Sequence, residues 1–224
     1  MRAQLEIACF NLRSAIIAQE SGVDRVELCD GIALGGITPN SEMVAKARQA
    51  LTIDLNVMIR PRGGNFVYSD SEFEQMKAEI VAFKKYNVNG FVFGILNENN
   101  TINIEQNTEL VQLAHPVSCT FHRAFDEVLD AFKALEDVIE CGFKTILTSG
   151  QAPNVMEGSH RLAELVSKSK NRITIMPGGG LRSSTIETLQ QLTKASYYHS
   201  SAITDGSETA NAIEMERLLH HLKK

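Results

Sequence analysis

The chain has 224 residues, 43% of them apolar, and a net charge of −5. That length allows one large α/β domain with a sizeable core. The acidic balance, without Lys/Arg runs, argues against nucleic acid or an anionic membrane as a partner. No uninterrupted apolar run reaches the roughly 18 residues that a membrane span needs. The N-terminus enters a strand without the basic and apolar regions of a signal peptide, so a cytoplasmic protein is expected. Cys9, Cys29, Cys119 and Cys141 form no Cys-x-x-Cys pair. They are expected as reduced thiols, with neither a zinc ribbon nor a thioredoxin-type site.

In chain order, Gln4 to Phe10 reads as a first strand, followed by a helix through Ser14–Ala18 that Gly22 stops. Arg25–Cys29 is the second strand. Thr38 is expected as the N-cap of the next helix, with Pro39 at its first position. The third strand, Ile53–Ile59, ends in Arg60-Pro61-Arg62-Gly63-Gly64. Ser69 to Glu72 has the form of a capping box, opening a helix with Phe73, Met76, Ile80 and Phe83 on one side. Gly90–Leu96 is an almost wholly apolar strand, of the kind buried on both faces.

A helix over 104–114 leads to the fifth strand, Val117-Ser118-Cys119-Thr120-Phe121, which runs straight into His122-Arg123-Ala124-Phe125-Asp126. Val128, Ala131, Phe132, Leu135, Val138 and Ile139 form a helical stripe that Gly142 ends. Strand six is Thr145–Thr148 and strand seven Ile173–Met176, the latter running into Gly178-Gly179-Gly180. Strand eight is Tyr197–Ser200, and Met215, Leu218, Leu219 and Leu222 close the chain as an amphipathic helix. Strict β/α alternation predicts a parallel sheet. Eight such units predict a single-domain (β/α)8 TIM barrel over 1–224, whose chemistry would sit where the strands end. An open doubly wound sheet is the alternative, but the polar strand ends are spread over most of the units.

Side chains alternate along a strand, so their facing can be read. Glu6, Ala8, Glu27, Cys29, Asn56, Met58, Arg60, Thr120, His122 and His199 are expected inside the ring, with Cys9, Cys119 and Phe121 under the helices. Buried carboxylates need compensation, so Arg60 or Arg62 is expected to pair with Glu6 and Glu27. Glu6, early in its strand, reads as part of a bracing ion network, whereas Glu27 fits a scaffold or a functional role equally.

An enzyme reading makes His122 a general acid/base near neutral pH, oriented by Asp126 or Glu27. Arg60, Arg62 or Arg123 would hold an anionic group of a phosphorylated or carboxylated metabolite. Gly178, Gly179 and Gly180, with Thr148, Ser149, His199, Ser200 and Ser201, lie where barrels often bind phosphate, and Ser183 and Ser184 would cap the following helix. No Gly-x-Gly-x-x-Gly or Gly-Lys-Ser/Thr match is present, so a nucleotide is not indicated. His115, His160, His220 and His221 fall on helices or helix ends and read as surface residues.

Several stretches together resemble one known family: Asp24-Arg25-Val26-Glu27-Leu28-Cys29, Gly35-Gly36-Ile37-Thr38-Pro39-Asn40, Ile59-Arg60-Pro61-Arg62-Gly63-Gly64, Thr120-Phe121-His122-Arg123-Ala124-Phe125-Asp126, Met176-Pro177-Gly178-Gly179-Gly180 and His199-Ser200-Ser201-Ala202. The chain resembles the copper homeostasis protein CutC family of cytosolic (β/α)8 barrels. The resemblance implies copper binding and a role in copper homeostasis, with Cys29 as a metal ligand together with His122 or His199. Cu(I) favours thiolate and thioether, so Met58 joins the donor set on offer, while a lone buried cysteine is ordinarily an apolar filler and Met58 reads as core more readily still. Copper-binding members resemble one another in a cysteine at the position of Ala8. Here the cysteine comes one residue later, which turns it to the opposite face. The segment after Ala202 is shorter than in many relatives, leaving that edge of the mouth open or covered by a partner. Expected partners are a small anion or Cu(I), and further copies of the chain as a dimer or tetramer.

Overall fold

The computed structural model describes residues 2–222. Its strands are β1 (Gln4–Cys9), β2 (Arg25–Leu28), β3 (Asp54–Met58), β4 (Gly90–Phe93), β5 (Ser118–Phe121), β6 (Thr145–Thr148), β7 (Thr174–Pro177) and β8 (Tyr197–Ser200). Between and after them come α1 (Leu12–Glu20), α2 (Ser41–Ala50), α3 (Asp70–Lys84), α4 (Ile104–Ala114), α5 (Ala131–Glu140), α6 (Ser159–Ser169), α7 (Ile186–Thr193) and α8 (Ala212–Leu222). All strand pairs are parallel, in the order β7-β6-β5-β4-β3-β2-β1-β8. A bridge between Gly178 and His199 brings the two ends of that order together. This is the (β/α)8 barrel that the alternation predicts, not an open sheet.

The facing read from the sequence holds through the ring. Cys9, Cys119 and Phe121 belong to the large core between strands and helices, while Cys29, Met58 and Val92 form a separate cluster inside the ring against Phe10. The strands are therefore apolar outward and mixed inward, which is why polar chemistry collects along the axis. β4 contributes no side chain at Gly90, where a Cβ would collide with the Asn56 side chain leaning in from β3. That missing atom makes room for a buried amide that reaches Glu6 from Asn56 Nδ2 at 3.3 Å.

The local signals hold at Ser69, where the capping box with Glu72 is complete, and at Gly22 and Gly142, both in the left-handed region. Others were misplaced. Asn40, not Thr38, caps α2; the Thr38 hydroxyl instead accepts the Arg60 N–H and donates to Glu79. Ser183 and Ser184 do not cap α7. Ser183 donates its backbone N–H and its hydroxyl to Glu214 on α8, and Thr185 stands at the cap. Val128 precedes α5, whose start is fixed by Asp130 accepting from Phe132 and Lys133 N–H. β4 ends at Phe93, and Leu96 makes only an isolated bridge to Ile102.

Gly90→Ala should overpack the ring and lower stability by about 1–3 kcal/mol. Urea denaturation measures the loss, and Asn56→Ala in the same chain should recover part of it.

Candidate functional site

Where the strands end, a cavity of about 210 Å³ opens, lined among others by Glu27, Cys29, Arg60, His122, Arg123 and His199. Beneath it lies the polar centre of the barrel. Glu6 on β1 is fully buried, and its register neighbours are Arg25 on β2 and His199 on β8. Arg25 Nε donates to Glu6 Oε2, and His199 Nδ1 lies 2.7 Å from Glu6 Oε1. His199 Nε2 in turn lies 3.9 Å from Glu27 Oε2. Arg25 stacks on the Tyr197 ring at 4.2 Å.

The electrostatics follow from these contacts. Burial raises the Glu6 pKa, but Arg25 and His199 outweigh it and hold the carboxyl at about 2. Burial lowers the His199 pKa, and Glu27 and Glu6 together raise it above the ordinary imidazole value. Glu27 goes the other way: burial lifts its pKa, His199 opposes this, and Glu6 adds to it. The Cys29 thiol donates to Glu27 Oε2 at 3.4 Å, and burial plus that carboxylate push its pKa well above the usual thiol range. Glu27 thus sits between the His199 imidazole and the Cys29 thiol, with one carboxylate oxygen, Oε2, near a polar atom of each.

The structure corrects several expectations about the mouth. Neither Arg60 nor Arg62 pairs with Glu6 or Glu27. Arg60 spends its terminal nitrogens on the carbonyls of Leu34, Gly36 and Gly64, and Arg62 on Glu72 and on the Gly63, Asn65 and Val67 carbonyls. Both guanidiniums fix the loops around β3, because backbone carbonyls in tight loops offer acceptors closer than the carboxylates. Arg60 still reaches the cavity; Arg62 does not line it.

Asp126 and Glu27 do not orient His122. Asp126 accepts from Arg123 Nε, the Thr148 hydroxyl, Ser149 N–H and hydroxyl, and Gln151 N–H, so it ties the loop after β5 to the end of β6. Thr148 and Ser149 belong to that knot and do not line the cavity, nor does Gly178, whose N–H goes to the Thr148 carbonyl. Burial and the Arg60 guanidinium push the His122 pKa down to about 3, below the neutral range expected of an acid/base group there.

Gly179, Gly180, Ser200 and Ser201 do line the mouth, beside Arg123 and Arg182. Gly179 and Gly180 both have positive φ, and the Val155 N–H holds the Gly179 carbonyl. A Cβ on Gly179 would meet the Arg123 guanidinium at 3.2 Å, so the glycine lets that cation settle on the turn. Arg25 and Arg182 were missed in the sequence. Arg25 sits two residues before Glu27, and the facing that sends Glu27 inward sends Arg25 inward too.

For copper, the donors divide. Cys29 and Met58 share one cluster inside the ring, whereas Cys9 lies in the outer core with its thiol on the Ile7 carbonyl. Glu6, Glu27 and His199 bring one ligand atom each within 4.8 Å of one another. Two carboxylates and an imidazole are a hard set that suits zinc or manganese better than Cu(I), and Arg25 already occupies Glu6.

A ring of parallel strands, with charged groups gathered on the side where the strands end, defines a (β/α)8 barrel carrying its candidate site at the C-terminal face. Residues 3–204 match the CutC family. The chain is 43% identical over 204 residues to a family protein CutC of Parabacteroides distasonis, an alignment covering 90% of this chain and 84% of that one. It is 40% identical over 198 residues to the copper homeostasis protein cutC homolog of Homo sapiens, covering 88% of this chain and 72% of the relative. The crystal structure of a CutC protein from Streptococcus agalactiae superposes with a TM-score of 0.86 at 34% identity, over 90% of this chain and 100% of that one. The chain belongs to the CutC family.

Arg25→Met should leave Glu6 buried opposite only one cation and cost about 3–5 kcal/mol in urea unfolding at neutral pH. The Glu6 pKa is depressed, so its contribution to stability is present above the unfolded value of 4.5 and is lost as pH falls toward about 2. Glu6→Gln should therefore show a flatter loss of stability than the parent chain across that acid window.

Proposed function

We propose that the mouth binds a small phosphorylated or carboxylated molecule and moves a proton on it, with Glu27 as the acid/base group and His199 as its electrostatic partner. The observation that carries this reading is Glu27 Oε1. It is buried and has no hydrogen-bond partner among the described residues, Glu27 lines the mouth, and the other carboxylate oxygen is engaged by Cys29. A buried carboxyl left half-satisfied, its pKa raised by desolvation, is a candidate acid/base group. Arg60, Arg123 and Arg182 supply positive charge around it, and the Gly179-Gly180 turn supplies a concave backbone for an anion.

A role in copper homeostasis is the second reading, supported by the names of the human and mouse relatives and by the adjacency of Cys29 and Met58. On this reading Cu(I) is cargo, taken up by the Cys29 sulfur with Met58 and an imidazole from His199 or His122. Only one thiol faces the cavity, and Glu27 holds its proton, so such binding would be weak or would draw ligands from a second copy of the chain. A homo-oligomeric assembly and a cytoplasmic location belong to the same proposal.

Inorganic phosphate binding, followed calorimetrically, tests the first reading. Arg123→Gln should weaken it roughly 10- to 100-fold, the loss of one charge-assisted hydrogen bond, and unaltered affinity would count against the cradle. Cu(I) competition with a chromogenic chelator tests the second: Cys29→Ser should abolish binding, and a variant that binds as before would remove Cys29 from the site.

A further inference from the structure

Besides Glu27 Oε1, the mouth holds two more buried atoms without partners among the described residues: His122 Nε2 and Arg60 Nε. His122 is only 3% exposed, and its Nδ1 accepts the Ala124 N–H at 3.3 Å. A ring nitrogen that accepts a hydrogen bond carries no proton, so in the neutral ring the proton resides on Nε2. Backbone geometry thus sets the tautomer. The ring has little freedom to turn: Phe66 covers it at 4.8 Å between centroids, and its Nδ1 packs where a Cβ on Gly94 would come within 2.9 Å. Arg60 flanks the same place, its guanidinium lying 4.8 Å from the Phe66 ring centroid. With Nδ1 occupied by the Ala124 N–H, the ring keeps its single proton on the unpartnered Nε2 of a residue that lines the cavity.

A neutral imidazole held this way is a poor general acid, but it is a preorganised donor for an oxygen that gains negative charge. β5, which delivers His122, and β2, which delivers Glu27, lie three positions apart in the ring, so donor and carboxyl approach the cavity from different walls. An oxyanion donor and a carboxylate base lining one cavity are the equipment for removing a proton next to a carbonyl group.

Resting on the reading of the mouth as an anion-binding acid/base site, we infer that its substrate is a phosphorylated α-hydroxycarbonyl compound and that the reaction is an enolisation assisted by the His122 Nε2–H and Arg60. Glu27, as the carboxylate, takes the proton from the α-carbon. The electron pair of that C–H bond becomes the C=C bond, and the carbonyl π pair moves onto oxygen, where the His122 N–H and Arg60 Nε stabilise it. Return of the proton to the same carbon restores the substrate. Return to the adjacent carbon, with the hydroxyl proton passing between the two oxygens, gives the isomeric carbonyl compound. No oxidant, reductant or second substrate is consumed.

The test incubates the full chain with dihydroxyacetone phosphate in D2O and follows loss of its carbon-bound proton signals by NMR, with 15N spectra of the histidines alongside. The parent chain should exchange those protons. Glu27→Gln and His122→Phe should each slow exchange at least about 100-fold, while inorganic phosphate still binds. His122→Gln, which keeps an N–H donor, should recover part of the rate. The His122 ring should remain the Nε2–H tautomer from about pH 5 upward. If phosphate binds but the parent chain exchanges nothing, or if His122→Phe exchanges at the parent rate, the inference fails while the anion reading stands. A cationic or Nδ1-protonated His122 overturns it also, and needs no variant to fold. Failure of phosphate to bind would instead remove the anion reading beneath it.

Discussion

A carboxylate with no access to solvent must be neutralised where it stands, and Glu6 is such a group. The parallel register does this without any long reach: Arg25 is its neighbour on one strand and His199 its neighbour on the other. The charges then alternate from contact to contact, with Arg25 positive, Glu6 negative, His199 positive and Glu27, back on the strand of Arg25, negative when ionised. That set sums to zero only when Glu27 has lost its proton, so the network below the mouth bears directly on the group at the mouth. Glu6 favours a charged His199, and a charged His199 is what allows Glu27 to ionise at all in so dry a place.

Above that network, the polar side chains split into those that build the mouth and those left free to face it. Asp126 accepts five donors from two stretches of chain and has nothing left for a ligand. Arg60 has five N–H groups and loop carbonyls that use its two terminal nitrogens, so Nε remains. Arg123 is shared between Asp126, Ser149 and the Gly179 turn. Such residues hold the loops rigid, and rigidity at the rim is what lets the unspent atoms of Glu27, Arg60 and His122 keep fixed positions.

The barrel was legible because β/α alternation and inward/outward parity are periodic, and a periodic signal survives local error. Parity alone placed Glu27, Cys29, Met58, His122 and His199 inside, and also turned Cys9 away from Cys29. What parity cannot supply is distance along the axis. Arg60 shares a face with Asn56 but stands higher, beside carbonyls of loops that no pattern predicts, so its pairing with the carboxylates was misjudged. Arg25 was legible in principle, since it precedes Glu27 by two residues, but an arginine at the first position of a strand looks like a solvated end. The His122 tautomer depends on a hydrogen bond from Ala124, two residues on, in a short helical turn that the sequence does not announce.

Copper and acid/base chemistry make opposite demands on the same pair of side chains. Cu(I) binding needs Cys29 as a thiolate. With Glu27 ionised 3.4 Å away, a second buried negative charge would face strong repulsion until the metal ion neutralised it. Proton transfer by Glu27 needs the reverse, with the thiol protonated and donating so that one carboxylate oxygen is steadied and the other left open. A metal ion on Cys29 would therefore displace a proton, break the hydrogen bond that orients Glu27 and stand in the space a substrate would use. On the two proposed readings, the occupants would exclude one another, because each makes its demand on the same Cys29 sulfur.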